Sequence, residues 1–279
     1  MHYLSICALA LFYHRNEAEQ WYKYHLAVGV DHFYLVDDGS KFDLYEVFEK
    51  KHLTLLDAGQ KTDRNCLQHK ILKNFPSFLK TKTKWVAFID TDEYLLCQND
   101  CFKSFLSNFE NESSVELKLK QFRADGSEEY QANSIILFKF KFYHDAYTIK
   151  TIANLSKCEI PLPHICIHRP FDDGVDALGN IPLKLKGKAR NRHHWPDTFY
   201  QPAWINHYPI RDLDQLIKKY HQGRFGLNYK DDIWVEYILN QTWGAIPRET
   251  DQYFNFAKYH RELWKKFKES LSYLKSKNT

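Results

Sequence analysis

Two rhythms of apolar residues alternate over the first hundred positions. Tyr3–Tyr13 is a nearly unbroken apolar run that predicts a buried strand. From about Glu17 a helix follows, with Trp21, Tyr24, His25 and Val28 on one face and Gly29 where a helix stops. His32–Val36 predicts a second strand, closed by the turn residues Asp37-Asp38-Gly39-Ser40. Phe42–Lys50 reads as a short helix, Leu53–Asp57 as a third strand, and Thr62 to about Leu79 as a long helix interrupted near Pro76. Trp85–Ile89 is a fourth strand of five apolar residues, the pattern of a strand covered on both faces in a parallel sheet. Such alternation predicts a doubly wound α/β domain, whose ligands bind outside the carboxyl ends of the strands. Asn16-Glu17, Asp37–Ser40 and Asp90–Glu93 then share one rim.

After Phe102 the alternation stops. Val115–Phe122, Ile135–Tyr143 and Ala146–Ala153 read as antiparallel strands. A stretch rich in Pro and His, Pro161–Pro170, and a polar loop from Asp172 to Asp197 follow them. Trp204–Tyr208 returns as a strand, with helices near Asp212–Gln222 and Asp231–Thr242. Neither a repeat nor a low-complexity linker is present, so one domain with an elaborated second half is expected.

Composition narrows the class. The 279 residues are 44% hydrophobic and 27% charged, with 16% aromatics, as in a folded globular chain whose flat side chains suit a deep core or a cleft that stacks on sugars. No apolar run reaches the roughly 18 residues of a membrane span. Leu4–Tyr13 lacks the basic start and small-residue cleavage site of a secretory signal, so a cytoplasmic location is expected. The six cysteines (7, 66, 97, 101, 158 and 166) are scattered as reduced thiols would be, and with His164 and His168 they fit no zinc spacing well. From Asp251 onward seven basic residues face three acidic ones, which accounts for the whole formal charge of +4. Leu263, Phe267, Leu271 and Leu274 recur there at helical spacing, so 251–279 reads as a basic, aromatic, amphipathic helix. It packs on the domain with a solvated basic face, or rests peripherally on anionic lipid at the inner face of a membrane. No nucleic-acid motif accompanies it.

Trp85-Val-Ala-Phe-Ile-Asp90-Thr-Asp92-Glu93-Tyr94-Leu95 carries the chemistry. In extended chain, residues two apart face the same way, so Asp90 and Asp92 would project together. Paired carboxylates at a sheet rim repel unless a cation lies between them, and hard oxygen ligands select Mg²⁺ or Mn²⁺. A metal there can neutralise charge on a departing diphosphate.

Four blocks carry a family resemblance. Asn16-Glu17 with Trp21 to Asp38, Gln68 with His69, Trp85 to Leu95, and Ile205-Asn206-His207-Tyr208 with Arg211, Lys219 and Gly223 occur in that order over roughly residues 8 to 225. Together they resemble glycosyltransferase family 92 and its bacterial relatives among the family-2-like glycosyltransferases. The resemblance implies a GT-A fold: a Rossmann-like α/β mixed sheet with helices on both faces and an elaborated C-terminal half. That domain would span 1–250, with a nucleotide-binding half at 1–100 and an acceptor half at 101–250, ahead of the 251–279 helix. It implies Mn²⁺ or Mg²⁺ on Asp90, Asp92 and His207, with Asp92 as the direct ligand. Asn16, Glu17, Asp37, Asp38, Gln68, Asp90, Arg211 and Lys219 would hold a nucleotide-sugar, in the first instance a UDP-sugar, for transfer to a glycan or lipid-linked acceptor. Two departures touch the acceptor side: Asp212 stands where relatives often have Ser, and Phe122–Gly126 follows the acceptor block only loosely.

Family members are expected to invert configuration, which requires a base to deprotonate the acceptor hydroxyl. Glu128, Glu129, Asp172, Asp173, Asp231, Asp232 and Glu236 are candidates; Asp231 and Asp232 open a helix after the Ile205–Tyr208 block and are preferred. Acidic residues at a helix start are also ordinary dipole partners. Two rivals stand beside the transferase reading. A non-catalytic sugar- or nucleotide-binding protein would keep the same residues, and an aspartate-nucleophile phosphatase would want Thr or Val where Tyr94 stands.

Overall fold

Among the described residues a nine-stranded mixed sheet organises the chain, built on β1 (His2–Ala10), β2 (His32–Asp37), β3 (Leu53–Leu55) and β4 (Thr83–Phe88). These four lie side by side in the order β3-β2-β1-β4, all parallel. The path continues through β7 (Tyr143–Asn154), β6 (Ser114–Phe122) and β9 (Ala203–His207) to β5 (Glu93–Cys97), while β8 (Val175–Asp176) pairs with β6. The computed structural model describes residues 1–57, 77–98, 101–122, 143–157, 175–180 and 202–208. The chain divides into two units, Met1–Lys120 with Asp145–His207 and Gln121–His144 with Tyr208–Thr279. The first holds the site residues discussed below; most of the second lies outside the described residues.

Both faces of the parallel half are apolar, for the reason the sequence gives: these strands have almost no polar alternation. On one face Cys7, Tyr34, Val36, Val86 and Phe88 form a core with Leu79, which sits in the helical turn at 77–80. The other face packs against α1 (Arg15–Ala27), where Trp21 meets Phe12, Phe33 and Phe48 at ring centroid distances of 5.9, 5.4 and 6.4 Å. Among the described residues, α1 covers one face and the helical turn at 77–80 lies on the other. Gly29 ends α1 with a φ of +105°, a left-handed conformation that costs any residue with a Cβ.

Several expectations are corrected. Phe42–Lys50 is not a helix: Asp43 accepts the Tyr45 N–H and starts a single 3-10 turn, Leu44–Glu46, and a second turn follows at Lys50–His52. The apolar spacing of Leu44, Val47 and Phe48 is satisfied by that turn, and Phe48 is buried. Trp85–Ile89 is covered on both faces, yet only one neighbour, β1, is parallel; β7 pairs antiparallel on its other side. Glu93–Cys97 is a strand, and so far from β4 in the sheet order that the chain must leave the parallel half at Asp90. A short helix, α2 (Phe102–Leu106), follows it. The Thr62–Leu79 helix, apart from its last residues, the Ile135–Tyr143 strand apart from Tyr143, the 161–170 and 172–197 loops apart from residues 175–180, and the helices expected at 212–222, 231–242 and 251–279 lie outside the described residues.

Among the described residues no helix is long and apolar enough to cross a membrane. Cys7, Cys97 and Cys101 are in no disulfide.

Candidate functional site at the end of the fourth strand

Asp90 follows β4 after Ile89, at the carboxyl edge of the parallel strands. The next residues are not extended: the Glu93 N–H donates to the Asp90 carbonyl at 3.0 Å, closing a turn over Thr91 and Asp92. The same-side projection expected from extended geometry is thus replaced by a turn, which still keeps the two aspartates close enough to repel. The turn is locked a second time, because the Asp90 N–H donates to Glu93 Oε2 at 2.9 Å.

A residue that sequence reasoning did not single out completes this lock. Lys150, on β7, is fully buried, and its ammonium lies 3.0 Å from Asp90 Oδ2 and 3.0 Å from Glu93 Oε2. Burying a lone ammonium costs several kcal/mol, so the lysine is tolerable only with the Asp90 carboxylate and the Glu93 acceptor beside it. Its pKa reflects the contest: burial pushes it down, and the two carboxyls more than restore it, leaving it above the ordinary lysine value. Burial would likewise raise Asp90, but the adjacent Lys150 charge wins and holds its carboxyl below the usual range. For Glu93, sealed beneath the turn, burial wins and pushes the carboxyl up to about 8. Glu93 thus holds its proton near neutrality, whereas Asp90 is an anion. The sequence does carry a signal for Lys150: it lies between Ile149 and Ile152 in a strand with no outward face, and a charge there demands a countercharge.

His207 arrives from far along the chain by strand pairing. β5 and β9 run antiparallel with Glu93 opposite His207, which brings His207 Nε2 to 3.6 Å from Asp92 Oδ1. Helix α1 fixes β5 from below. Trp21 Nε1 donates to the Glu93 carbonyl at 2.9 Å and the Tyr24 hydroxyl to the Leu95 carbonyl at 2.8 Å. His25 Nδ1 donates to the Trp21 carbonyl at 2.8 Å, and its Nε2 accepts the Leu95 N–H at 3.3 Å. With both ring nitrogens so engaged the imidazole must be neutral, and burial lowers its pKa to about 3.

The remaining expected residues divide cleanly. Asn16 and Glu17 occupy the first turn of α1 after β1, half-buried and buried respectively. Asp37 is exposed, and its Oδ1 accepts the N–H groups of Gly39 (3.2 Å) and Ser40 (2.9 Å), so it builds the turn. Asp38 is half-buried, with its N–H donated to the Ala10 carbonyl at 2.8 Å. Since β1, β2 and β4 are parallel neighbours, all three segments lie at one edge of the sheet. Gln68, Arg211, Lys219, Asp231 and Asp232, with Glu128, Glu129, Asp172, Asp173 and Glu236, lie outside the described residues. So do Cys66, Cys158, Cys166, His164 and His168. Among the described residues no three His, Cys, Asp or Glu side chains stand together as a ready-made metal cage.

Residues 77–182, which include Asp90, Asp92, Glu93 and Lys150, match the sequence profile of glycosyltransferase family 92. No curated protein sequence matches the chain. Solved structures with some likeness include S. aureus TarS, at 13% identity and a TM-score of 0.36 over 86% of this chain and 42% of that one. A 1–349 fragment of S. aureus TarS in complex with UDP-GlcNAc gives 16%, 0.30, 56% and 46% in the same order. An active-site mutant of LgtC gives 13%, 0.34, 88% and 98%. The chain thus spans under half the length of the TarS chains it matches, and at these TM-scores the likeness carries no weight below. The family match is confined to residues 77–182, so it is this segment, with its acidic turn, that is similar to glycosyltransferase family 92.

Proposed function

We propose that the chain is a metal-dependent, GT-A-type transferase that moves a sugar from a nucleotide-sugar, in the first instance a UDP-sugar, to a glycan or lipid-linked acceptor. The observation that carries this reading is the meeting of Asp92 and His207, remote in sequence, 3.6 Å apart beside Asp90 at the carboxyl edge of the parallel strands. Two donors at that separation can share one cation at ordinary ligand distances of about 2.1 Å. The chemistry also fits: Lys150 is paired with Asp90, and Asp92 and His207 offer an oxygen and an imidazole nitrogen at the same turn. Mg²⁺ and Mn²⁺ are commonly held by one or two protein carboxylates, with substrate phosphates completing the shell. When bound there, such an ion supplies Lewis acidity toward the diphosphate that leaves.

The chain's own residues orient the rest. The doubly locked turn fixes Asp92 without reorganisation, and α1 and β9 hold His207 opposite it. Asn16, Glu17 and Asp38, at the ends of the neighbouring elements, are in place for the nucleoside. An inverting reaction with Asp231 or Asp232 as base belongs to the same proposal, as does a peripheral lipid contact through 251–279 from the cytoplasmic side.

A thermal-shift screen of nucleotide sugars with and without Mn²⁺ tests the reading. A shift that needs both the metal and one particular sugar nucleotide supports it and names the donor. Indifference to every nucleotide sugar in the presence of Mn²⁺ would overturn it. Slow Mn²⁺-dependent UDP release without acceptor separates a transferase from a phosphatase, which would liberate inorganic phosphate, and from a binding protein, which would release neither.

A further inference from the structure

Strand β5 ends the sheet order, so among the described residues only β9 pairs with it and its outer edge faces no strand. That edge is buried: Glu93, Tyr94 and Leu95 are each 1% exposed or less. Main-chain groups in such a place need partners, and a bare strand edge has none. Helix α1 supplies them from its side chains. The Glu93 carbonyl accepts from Trp21 Nε1 at 2.9 Å, the Leu95 carbonyl from the Tyr24 hydroxyl at 2.8 Å, and the Leu95 N–H donates to His25 Nε2 at 3.3 Å. The fourth outward group, the Glu93 N–H, closes the acidic turn on the Asp90 carbonyl. His25 can act as the acceptor because its Nδ1–H is spent on the Trp21 carbonyl, 2.8 Å away. Helix α1 thus stands where a neighbouring strand would, and its first turn carries Asn16 and Glu17.

We propose that His25 is a positioning residue that ties β5 to α1 and so fixes the spacing between the nucleoside end of the site and the acidic turn that takes the diphosphate. The inference rests on the nucleotide-sugar reading above. Its physical basis is geometric. A ligand with two linked ends gains from both contacts only when the two subsites are held at the ligand's own span. Misplacing one of them by about 1 Å costs as much as about 100-fold in rate. His25 itself touches neither end of the donor, because it is fully buried in the last turn of α1. It acts through the Leu95 N–H, two residues beyond the end of the acidic turn.

Titrations of the full chain with uridine and with UDP, each with Mg²⁺ and followed by ligand-observed NMR, test this without turnover. His25→Phe keeps an aromatic ring and loses both hydrogen bonds. It should bind UDP at least about tenfold more weakly, and uridine within about twofold of the unmodified protein. His25→Gln keeps one donor and one acceptor and should restore UDP binding to within about threefold. A merely structural histidine would lower the Tm yet leave the ratio of the two affinities unchanged in the folded protein. Equal effects of His25→Phe on the two ligands, whether large or absent, overturn the proposal. Should His25→Phe fail to fold, Tyr24→Phe, which removes the bond to the Leu95 carbonyl, decides in its place. A loss of about fivefold confined to UDP then supports the proposal, and equal effects overturn it. UDP binding with no detectable uridine binding would mean that no nucleoside is held at α1, and overturns it too. If the unmodified protein binds neither ligand, the nucleotide-sugar reading falls and this proposal with it, a signature distinct from equal effects in the variants.

Discussion

Replacing Lys150 by Met removes one charge from the interior and leaves the apolar stem almost unchanged, so it isolates the ion-pair contribution to stability. Each contact is 3.0 Å long, and a unit pair at that distance is worth about 5 kcal/mol at an effective dielectric constant near 20. Two corrections reduce the figure. The Asp90 side chain is 38% exposed, so water screens its pairing and rehydrates it once the lysine is gone. Glu93 is 1% exposed but carries a proton near neutrality, so its contact is a charge-assisted hydrogen bond of about 1.5–3 kcal/mol. The desolvation of the ammonium, several kcal/mol, is recovered on its removal. The expected loss is therefore about 3 kcal/mol, at the low end for breaking a buried pair. Urea unfolding at pH 7, followed by tryptophan fluorescence, measures it. The double variant Lys150→Met with Glu93→Gln should recover part of the loss, because no buried carboxyl is then left to ionise. A loss under about 1 kcal/mol for the single variant would mean that the lysine is solvated, and the reasoning from burial would be refuted.

Other expectations follow from the same contacts. His25 has a folded-state pKa of about 3, below its unfolded value, so its contribution is intact above pH 6.5 and is lost as pH falls toward 3; by pH 5 the cost is about 2 kcal/mol. Urea midpoints that stay flat from pH 7 to pH 5 in a Glu93→Gln background, where the opposing titration of Glu93 is absent, would contradict this. Glu93 acts in the opposite direction: its folded pKa of about 8 lies above the unfolded one, so stability falls as pH rises from about 4.5 through 8. Glu93→Gln should flatten that limb and cost little at pH 7; a large loss there would show that the carboxylate form is the native one. Tyr24→Phe removes the hydroxyl bonded to the Leu95 carbonyl and should cost about 1 kcal/mol in a urea melt, with no change meaning that α1 does not pin β5. Gly29→Ala forces a Cβ into a φ of +105°, 3.4 Å from Lys103 Cγ, and should cost about 1–2 kcal/mol, seen as a lowered Tm.

The parallel half was readable because its pattern is local. Strands His2–Ala10, His32–Asp37 and Thr83–Phe88 announce themselves as apolar runs, and α1 by the spacing of Trp21 and His25. Asp90 and Asp92 stood out because carboxylates after an apolar strand have few dull explanations. Asp37 had one, the turn it in fact builds. What escaped notice was non-local. Glu93–Cys97 was not assigned as a strand, since only its pairing with Ala203–His207 makes it one. Lys150 resembled any strand lysine until its sixty-residue separation from Asp90 was closed by the β4–β7 pairing. Phe42–Lys50 had the apolar spacing of a helix, but the Asp43 cap and one 3-10 turn were enough to bury Leu44 and Phe48.

The proposed function requires a divalent cation that would join a sugar nucleotide to Asp92 and His207. Crystals grown with Mn²⁺ and UDP, with diffraction recorded at a wavelength where manganese scatters anomalously, test it most directly. The account predicts an anomalous peak within bonding distance of Asp92 and His207, touching the diphosphate, with Lys150 still on Asp90. A diphosphate bound without metal, or manganese seated elsewhere, would contradict it.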